Sequence, residues 1–135
     1  MLKEGVIFGV VRDNQILVQE RLNPNKSYFG KKIIPGGKME DGESIEESAE
    51  RELFEESDLI AKNITYLESL ENTTEKGHQY IHHVVLITEF DGRLDEHKEP
   101  DGQLSFVPLS DAKTICEHPF SHQVIDVIEK ALKVG

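Results

Sequence analysis

The 135-residue chain has no tryptophan, one cysteine, two methionines and three tyrosines. The single Cys116 rules out an internal disulfide and suits a reducing compartment, so a cytoplasmic location is expected. No apolar run approaches the roughly 18 residues of a membrane span. The opening Met1-Leu2-Lys3-Glu4 has none of the character of a signal peptide. Repeats, low-complexity tracts and linkers are missing too, which points to one domain over residues 1–135. A chain of this length buries about two-thirds of the surface its unfolded form exposes. Bases are scarce, with 15 Lys and Arg against 26 Asp and Glu and a formal charge of −11. That balance disfavours nucleic-acid polymers, whose non-specific binding runs on cationic phosphate contacts.

The imbalance is concentrated in one stretch. Between Gly37 and Asp58 ten acids stand against Lys38 and Arg51, which leaves eight of the 11 net negative charges there. Glu52, Glu55 and Glu56 lie at i, i+3 and i+4 of a helical pattern, so they share one face within about 100° of arc. In water such pairs cost a few tenths of a kcal/mol. At an effective dielectric of about 20 and a separation of about 5.5 Å, each costs roughly 3 kcal/mol. A divalent cation removes that cost, and an oxygen-only cluster suits Mg²⁺ or Mn²⁺. A phosphorylated small molecule can dock on such a surface only with metal ions between the two sets of anions. An ordinary solvated acidic helix face is the alternative.

The elements around this stretch follow from pattern. Val6 to Val11 reads as a buried strand, Asp13-Asn14 as a turn, and Gln15 to Glu20 as a strand with Ile16 and Val18 facing in. Asn23-Pro24-Asn25 is a loop, and Lys32-Ile33-Ile34 a brief strand that delivers a loop at Pro35-Gly36-Gly37 to the helix. Ser44 and Glu47 form a capping box, with Ile45, Ala49 and Leu53 as an apolar stripe beside the glutamates. Asn63 to Leu70 and the long His78 to Phe90 read as strands, with a polar loop from Glu71 to Gly77 between them. An acidic loop spans Asp91 to Gly102 before a strand from Leu104 to Val107. Ser110-Asp111 caps a short helix, and Ser121 to Lys133 is an amphipathic helix built on Val124, Ile125, Ile128 and Leu132. Strands with two interspersed helices give an α/β fold with a mixed sheet between helices.

Pro35-Gly36-Gly37, then Glu43, then Arg51-Glu52-Leu53-Phe54-Glu55-Glu56, at these spacings and as far as Leu59, resembles the signature of the Nudix (MutT-like) hydrolases. The resemblance implies a Nudix-type α/β/α sandwich. It also implies a metal-dependent pyrophosphohydrolase that cleaves a nucleoside diphosphate linked to another moiety. On that pattern Glu52, Glu55, Glu56 and the Gly36 carbonyl hold Mg²⁺ or Mn²⁺, and Arg51 braces the glutamates. Glu56 is the first choice to accept the attacking water's proton. Glu99 is second, from a loop where family members often place a further acid. Gly36 and Gly37 let the backbone pass close to metal and phosphates, and Lys38 offsets phosphate charge. Phe106 stands where the family often has tryptophan, next to the substrate. The family's glycine two residues after the glutamate pair is Asp58 here. Asp tolerates the left-handed conformation, so a slightly strained helix end is expected.

The six histidines form no metal constellation. His82 and His83 point to opposite faces of a strand, Pro119 separates His118 from His122, and structural roles are expected for all six. Tyr28 and Phe29 are candidates to stack on a base. Dinucleoside polyphosphate members of the family tend to carry a Tyr, and ADP-ribose members a Pro, some 15 to 18 residues beyond the motif. Thr74-Glu75-Lys76-Gly77 has neither. By elimination the expected substrate is a nucleoside triphosphate, an oxidised purine among the candidates, cleaved to monophosphate and pyrophosphate. The alternatives are an ADP-ribose, nucleotide-sugar or dinucleoside polyphosphate hydrolase, or a Nudix module that binds a nucleotide without cleaving it. The partner expected is a small nucleotide rather than a polymer or a membrane, and a homodimer stays open.

Overall fold

Alternate residues of the first strand decide the layering. β1 (Lys3–Arg12) sends Val6, Phe8 and Val10 to one face and Ile7 and Val11 to the other. All five are buried in the computed structural model, which describes residues 2–73 and 76–134. A strand covered on both faces has no need of polar alternation, which is why this run reads as continuously apolar. On the Phe8 side lies α1 (Ile45–Ser57), whose Ala49 and Leu53 are fully buried with Ile45 packed beside them. On the Ile7 side lie the short α2 (Ala112–Ile115) and α3 (Pro119–Val134), which bury Ala112, Val124, Ile125 and Ile128. The result is the expected α/β/α sandwich.

The central sheet is mixed, as the pattern suggested. β1 pairs in parallel with β7 (Gln79–Ile87) and antiparallel with β2 (Gln15–Arg21), while β6 (Thr65–Thr73) lies antiparallel on the far side of β7. Asp13 and Asn14 both have positive φ, the backbone that a tight hairpin turn demands. Beyond that turn β1 and β2 share two residue pairs and then part. β2 takes up β3 (Lys32–Ile33) and β9 (Gly102–Pro108), and β1 takes up β4 (Gly36–Lys38). This fork is where the cavity described below opens.

Five expectations change. Gly36–Lys38 is a strand rather than a loop, because the backbone of β1 supplies its partners. β2 buries Leu17 and Gln19 as well as Ile16 and Val18, since it too is covered on both sides. The strand expected to run to Phe90 stops at Ile87, and Phe90–Asp91 becomes β8, paired instead with β5 (Ile60–Ala61). Leu109–Asp111 forms a 3₁₀ turn, and α2 starts after it with no side-chain cap from Asp111. β6 runs on to Thr73, while Thr74 and Glu75 of the stretch used to weigh substrates lie outside the described residues.

Candidate active site

α1 begins with the capping box read from the sequence. Ser44 accepts from the Glu47 backbone N–H at 3.1 Å, and Glu47 accepts from the Ser44 N–H at 2.9 Å. The helix ends at Asp58 in the left-handed region, φ 67°. Its N–H donates to the Phe54 carbonyl, so the residue that replaces the motif glycine still closes the helix as glycine would. The Asp58 carboxylate pairs with Lys98, whose ammonium also donates to the Phe54 carbonyl at 2.8 Å and sits 4.3 Å from the centre of the Phe54 ring. The Asp95 N–H donates to the Ser57 carbonyl. The loop that carries Glu99 is thereby fastened to the end of α1.

Arg51 organises the outer acids. Its Nε and Nη2 donate to the two oxygens of Glu43 at 2.6 and 2.9 Å, and its Nη1 donates to Glu52 and Glu55, both at 2.9 Å. A further bond reaches the Lys38 carbonyl, tying the helix to β4. Arg51, Ser48 and the Glu40 N–H together hold the Glu43 carboxyl down at about pKa 2. Burial pushes the Glu52 carboxyl upward despite its bond to Arg51.

The inner acids face a cavity of about 690 Å³. Gly36, Gly37, Lys38, Glu52, Glu56 and Glu99 all line it. A Cβ at Gly37 would overlap the Glu52 carboxylate, and one at Gly36 would overlap the Val6 carbonyl. Both glycines are thus required by close approach. Glu56 is 9% exposed; its Oε1 accepts from Gln19 Nε2 at 3.2 Å, while its Oε2 is buried with no hydrogen-bond partner. Burial, aided by the nearby charges of Glu52 and Glu99, lifts its pKa to about 8. An acid so placed is short of a counter-charge.

Oxygen donors from Glu52, Glu56 and Glu99, one of them orphaned, are what a hard divalent cation takes. The donor set therefore fits Mg²⁺ or Mn²⁺. As they stand, no three His, Cys, Asp or Glu side chains among the described residues are close enough together to hold an ion, and Arg51 keeps one oxygen each of Glu52 and Glu55. Glu55 is half exposed and does not line the cavity, nor does Arg51. Phe106 is not there either. Its ring stacks on Phe90 at 6.1 Å and packs against the core.

Sequence reading missed several lining residues. Gln19 looked like the solvent face of β2, yet that face turns into the fork beside Glu56. The cavity also collects Arg21, Lys26, Lys38 and Lys76, four cations in a chain short of them. It is also lined by Tyr28, Tyr80, His82 and Phe120. Tyr28 was a candidate from the sequence, whereas its neighbour Phe29 is exposed. The Tyr80–His82 alternation on one strand face was the available signal for the rest. The other histidines mostly serve structure: His83 meets Ser69 and Glu4, and His118 Nδ1 accepts from the Phe120 N–H at the start of α3.

The model of the family described as the NUDIX domain matches residues 2–127. Among curated proteins the chain is similar to the mouse (Mus musculus) 8-oxo-dGDP phosphatase NUDT18, 28% identical over 125 residues, covering 90% of this chain and 36% of that protein. The zebrafish (Danio rerio) 8-oxo-dGDP phosphatase NUDT18 is 26% identical over 129 residues, covering 96% and 37%. The chain thus spans about a third of the length of these curated relatives. Among solved structures it is similar to a MutT NUDIX hydrolase from Burkholderia pseudomallei, with a TM-score of 0.83 at 24% identity, covering 95% of this chain and 98% of that one. A structure described as an ADP compounds hydrolase gives 0.78 at 20% identity, covering 97% and 73%. At these identities the structural likeness speaks to the fold.

Proposed function

The chain belongs to the Nudix hydrolase family, and from that premise we propose that it is a metal-dependent pyrophosphohydrolase acting on a small nucleotide. The observation that carries this reading is the buried Glu56 carboxyl. It has one orphaned oxygen and stands at a cavity wall beside Glu52, Glu99 and the Gly36–Gly37 strand. Nudix hydrolases generally use divalent ions, and Glu52 and Glu56 with the Gly36 carbonyl would hold Mg²⁺ or Mn²⁺ here, joined by Glu55 once its oxygen leaves Arg51. Such an ion, when bound, supplies charge neutralisation at the phosphates and lowers the pKa of water within its reach.

The chain's own groups do the rest. Arg21, Lys38 and Lys76 offset the charge of a polyphosphate that would otherwise be repelled by the acids. Arg51 keeps Glu52 oriented from behind, as a fork donor can. Glu56 accepts the proton of a water that attacks phosphorus, with Glu99 as the second choice. The anhydride P–O bond breaks in line, and pyrophosphate leaves. A nucleoside triphosphate cleaved to monophosphate remains the preferred substrate. The relatives named 8-oxo-dGDP phosphatases add an oxidised-purine diphosphate to the same panel.

The test is release of phosphate products from a side-by-side nucleotide panel with Mg²⁺, repeated with Glu55→Gln and Glu56→Gln. Undiminished turnover in both variants would sink the assignment. Strong preference for ADP-ribose or a nucleotide sugar would overturn the substrate choice alone. A second reading, a binding module without turnover, draws support from the hold that Arg51 keeps on Glu52 and Glu55. It predicts tight nucleotide binding with no product over hours.

A further inference from the structure

The catalytic reading uses one side of the cavity and leaves the aromatic side without a task. On β7 the rings of Tyr80 and His82 stack at 5.1 Å and 9°, and Phe120, from the first turn of α3, meets His82 at 5.4 Å. Tyr28 joins the lining from the loop after β2, its hydroxyl accepting from Asn72 Nδ2 at 3.1 Å. Three separate parts of the chain therefore bring rings to one cavity. Phe120 also packs against the core that holds Ile7, Ile34 and Val124, and these three line the same cavity, so the rings stand at the edge of that core with open volume on their other side. His82 is unusual within this group. Its Nδ1 is buried with no hydrogen-bond partner, and burial together with His83 lowers its pKa to about 4, so the imidazole stays neutral near physiological pH. A cavity of about 690 Å³ lies within the range of small-molecule sites and exceeds what a phosphate chain needs. Arg21 and Lys38, beside the acids, complement an anionic ligand, whereas the rings complement a planar uncharged one.

We propose that Tyr80, His82 and Phe120, with Tyr28 beside them, form the seat of the substrate's nucleobase, and that the His82 imidazole is the specificity-determining contact to it. This rests on the phosphohydrolase reading of the acidic side. It moves base recognition away from Phe106, which the core has claimed. An aromatic base gains by stacking against rings already fixed in place, since little side-chain freedom is lost on binding. An imidazole adds a polar ring edge that an all-hydrocarbon wall would lack. A nucleotide reaches both sides at once, and inorganic tripolyphosphate reaches only the charged one.

The experiment compares those two ligands, each as a competitive inhibitor of the best nucleotide substrate with Mg²⁺ present. The variants are His82→Phe, which keeps a ring, and the double variant Tyr80→Ala/Phe120→Ala. His82→Phe is expected to weaken the nucleotide roughly 10-fold, the worth of one hydrogen bond. The double variant is expected to weaken it on the order of 10- to 100-fold through lost stacking. Tripolyphosphate inhibition should hold within about twofold in both, which also reports that the fold is intact. Equal weakening of both ligands, or unchanged nucleotide inhibition in both variants, would overturn the proposal. A wild-type protein that binds tripolyphosphate as tightly as any nucleotide would overturn it too, while leaving the phosphohydrolase reading standing. Failure to bind or cleave any phosphate compound would instead bring down that underlying reading.

Discussion

Two acids of the same motif, Glu43 and Glu56, stand at opposite extremes. Glu43 receives Arg51, Ser48 and the Glu40 N–H, and its carboxyl sits near pKa 2. Glu56 receives only Gln19, lies 9% exposed, keeps one oxygen unpaired and sits near pKa 8. The difference is one of supply. The outer side of α1 is given every donor its acids can use, so it holds the backbone of β4 and the helix in place. The inner side leaves the buried Glu56 carboxyl with one oxygen unpaired, and that deficit marks where chemistry is expected.

The comparison breaks first at Glu56. Glu56→Gln keeps the shape and the Gln19 neighbour but removes both the charge and the proton acceptor. Turnover with Mg²⁺ should fall on the order of 10²- to 10⁴-fold, read as kcat on the best nucleotide of the panel. A loss of less than tenfold would shift the proton to Glu99, where Glu99→Gln should then carry the larger effect.

The metal-free protein offers the next test, in stability. The folded Glu56 keeps its proton up to about pH 8, whereas an unfolded glutamate releases it near 4.5. Its contribution is therefore intact below pH 4.5 and lost as pH rises to 8, amounting to a few kcal/mol. Glu52, also raised, acts in the same direction. His82 acts the other way. Folded near pKa 4 against 6.5, it stabilises above pH 6.5 and withdraws that contribution as pH falls through 4. Thermal melts across this range should show wild type losing ground to Glu56→Gln as pH rises, the gap closing when Mg²⁺ or Mn²⁺ is added. Parallel melting curves for the two proteins at every pH would mean that the carboxyl is not held protonated by the fold.

Arg51 tests the outer side. Arg51→Lys keeps the charge and loses the fork, leaving Glu43 and Glu52 without a shared donor. Activity or Mn²⁺ affinity should drop about 10- to 100-fold, as for other groups that orient a metal's ligands, with Glu43→Gln giving a smaller loss in the same assay. If Arg51→Lys behaves as wild type, the outer side is merely surface charge.

How much of this was legible depended on range. The capping box, the apolar stripe Ile45–Ala49–Leu53 and the left-handed Asp58 are rules of one helix, and the sequence states them within a few residues. β4 was not legible because Gly36-Gly37 has no strand preference of its own and takes its form from β1. Gln19 was misread for a similar reason: alternation assumes that one face is wet, and the fork between β1 and β2 makes both faces inner ones. The ring partner of Phe106 was not legible either, because Phe90 stands in the separate strand β8. Of the aromatic lining only Tyr80 and His82 share a local pattern, and residues 28 and 120 are too far from them in the chain to be joined by one.

The smallest effect belongs to Asp58, and it separates two terms that nearly cancel. Replacing Asp58 by Gly relieves a left-handed conformation that glycine adopts freely, a gain of at most about 1 kcal/mol. It also removes the pair with Lys98, a partly exposed ion pair worth about 0.2–1 kcal/mol. Asp58→Gly should therefore change stability by no more than about 0.5 kcal/mol. Lys98→Met should destabilise the wild-type background more than the D58G background, because only the former has a carboxylate left stranded. Hydrogen exchange in the loop from Asp91 to Gly102 should quicken with Lys98→Met, since the ties to Asp58 and to the Phe54 carbonyl are lost together. If the two substitutions prove additive and the loop's exchange is unmoved, Asp58 is a tolerated stand-in for glycine and the fastening of Glu99 comes from the Asp95–Ser57 backbone bond instead.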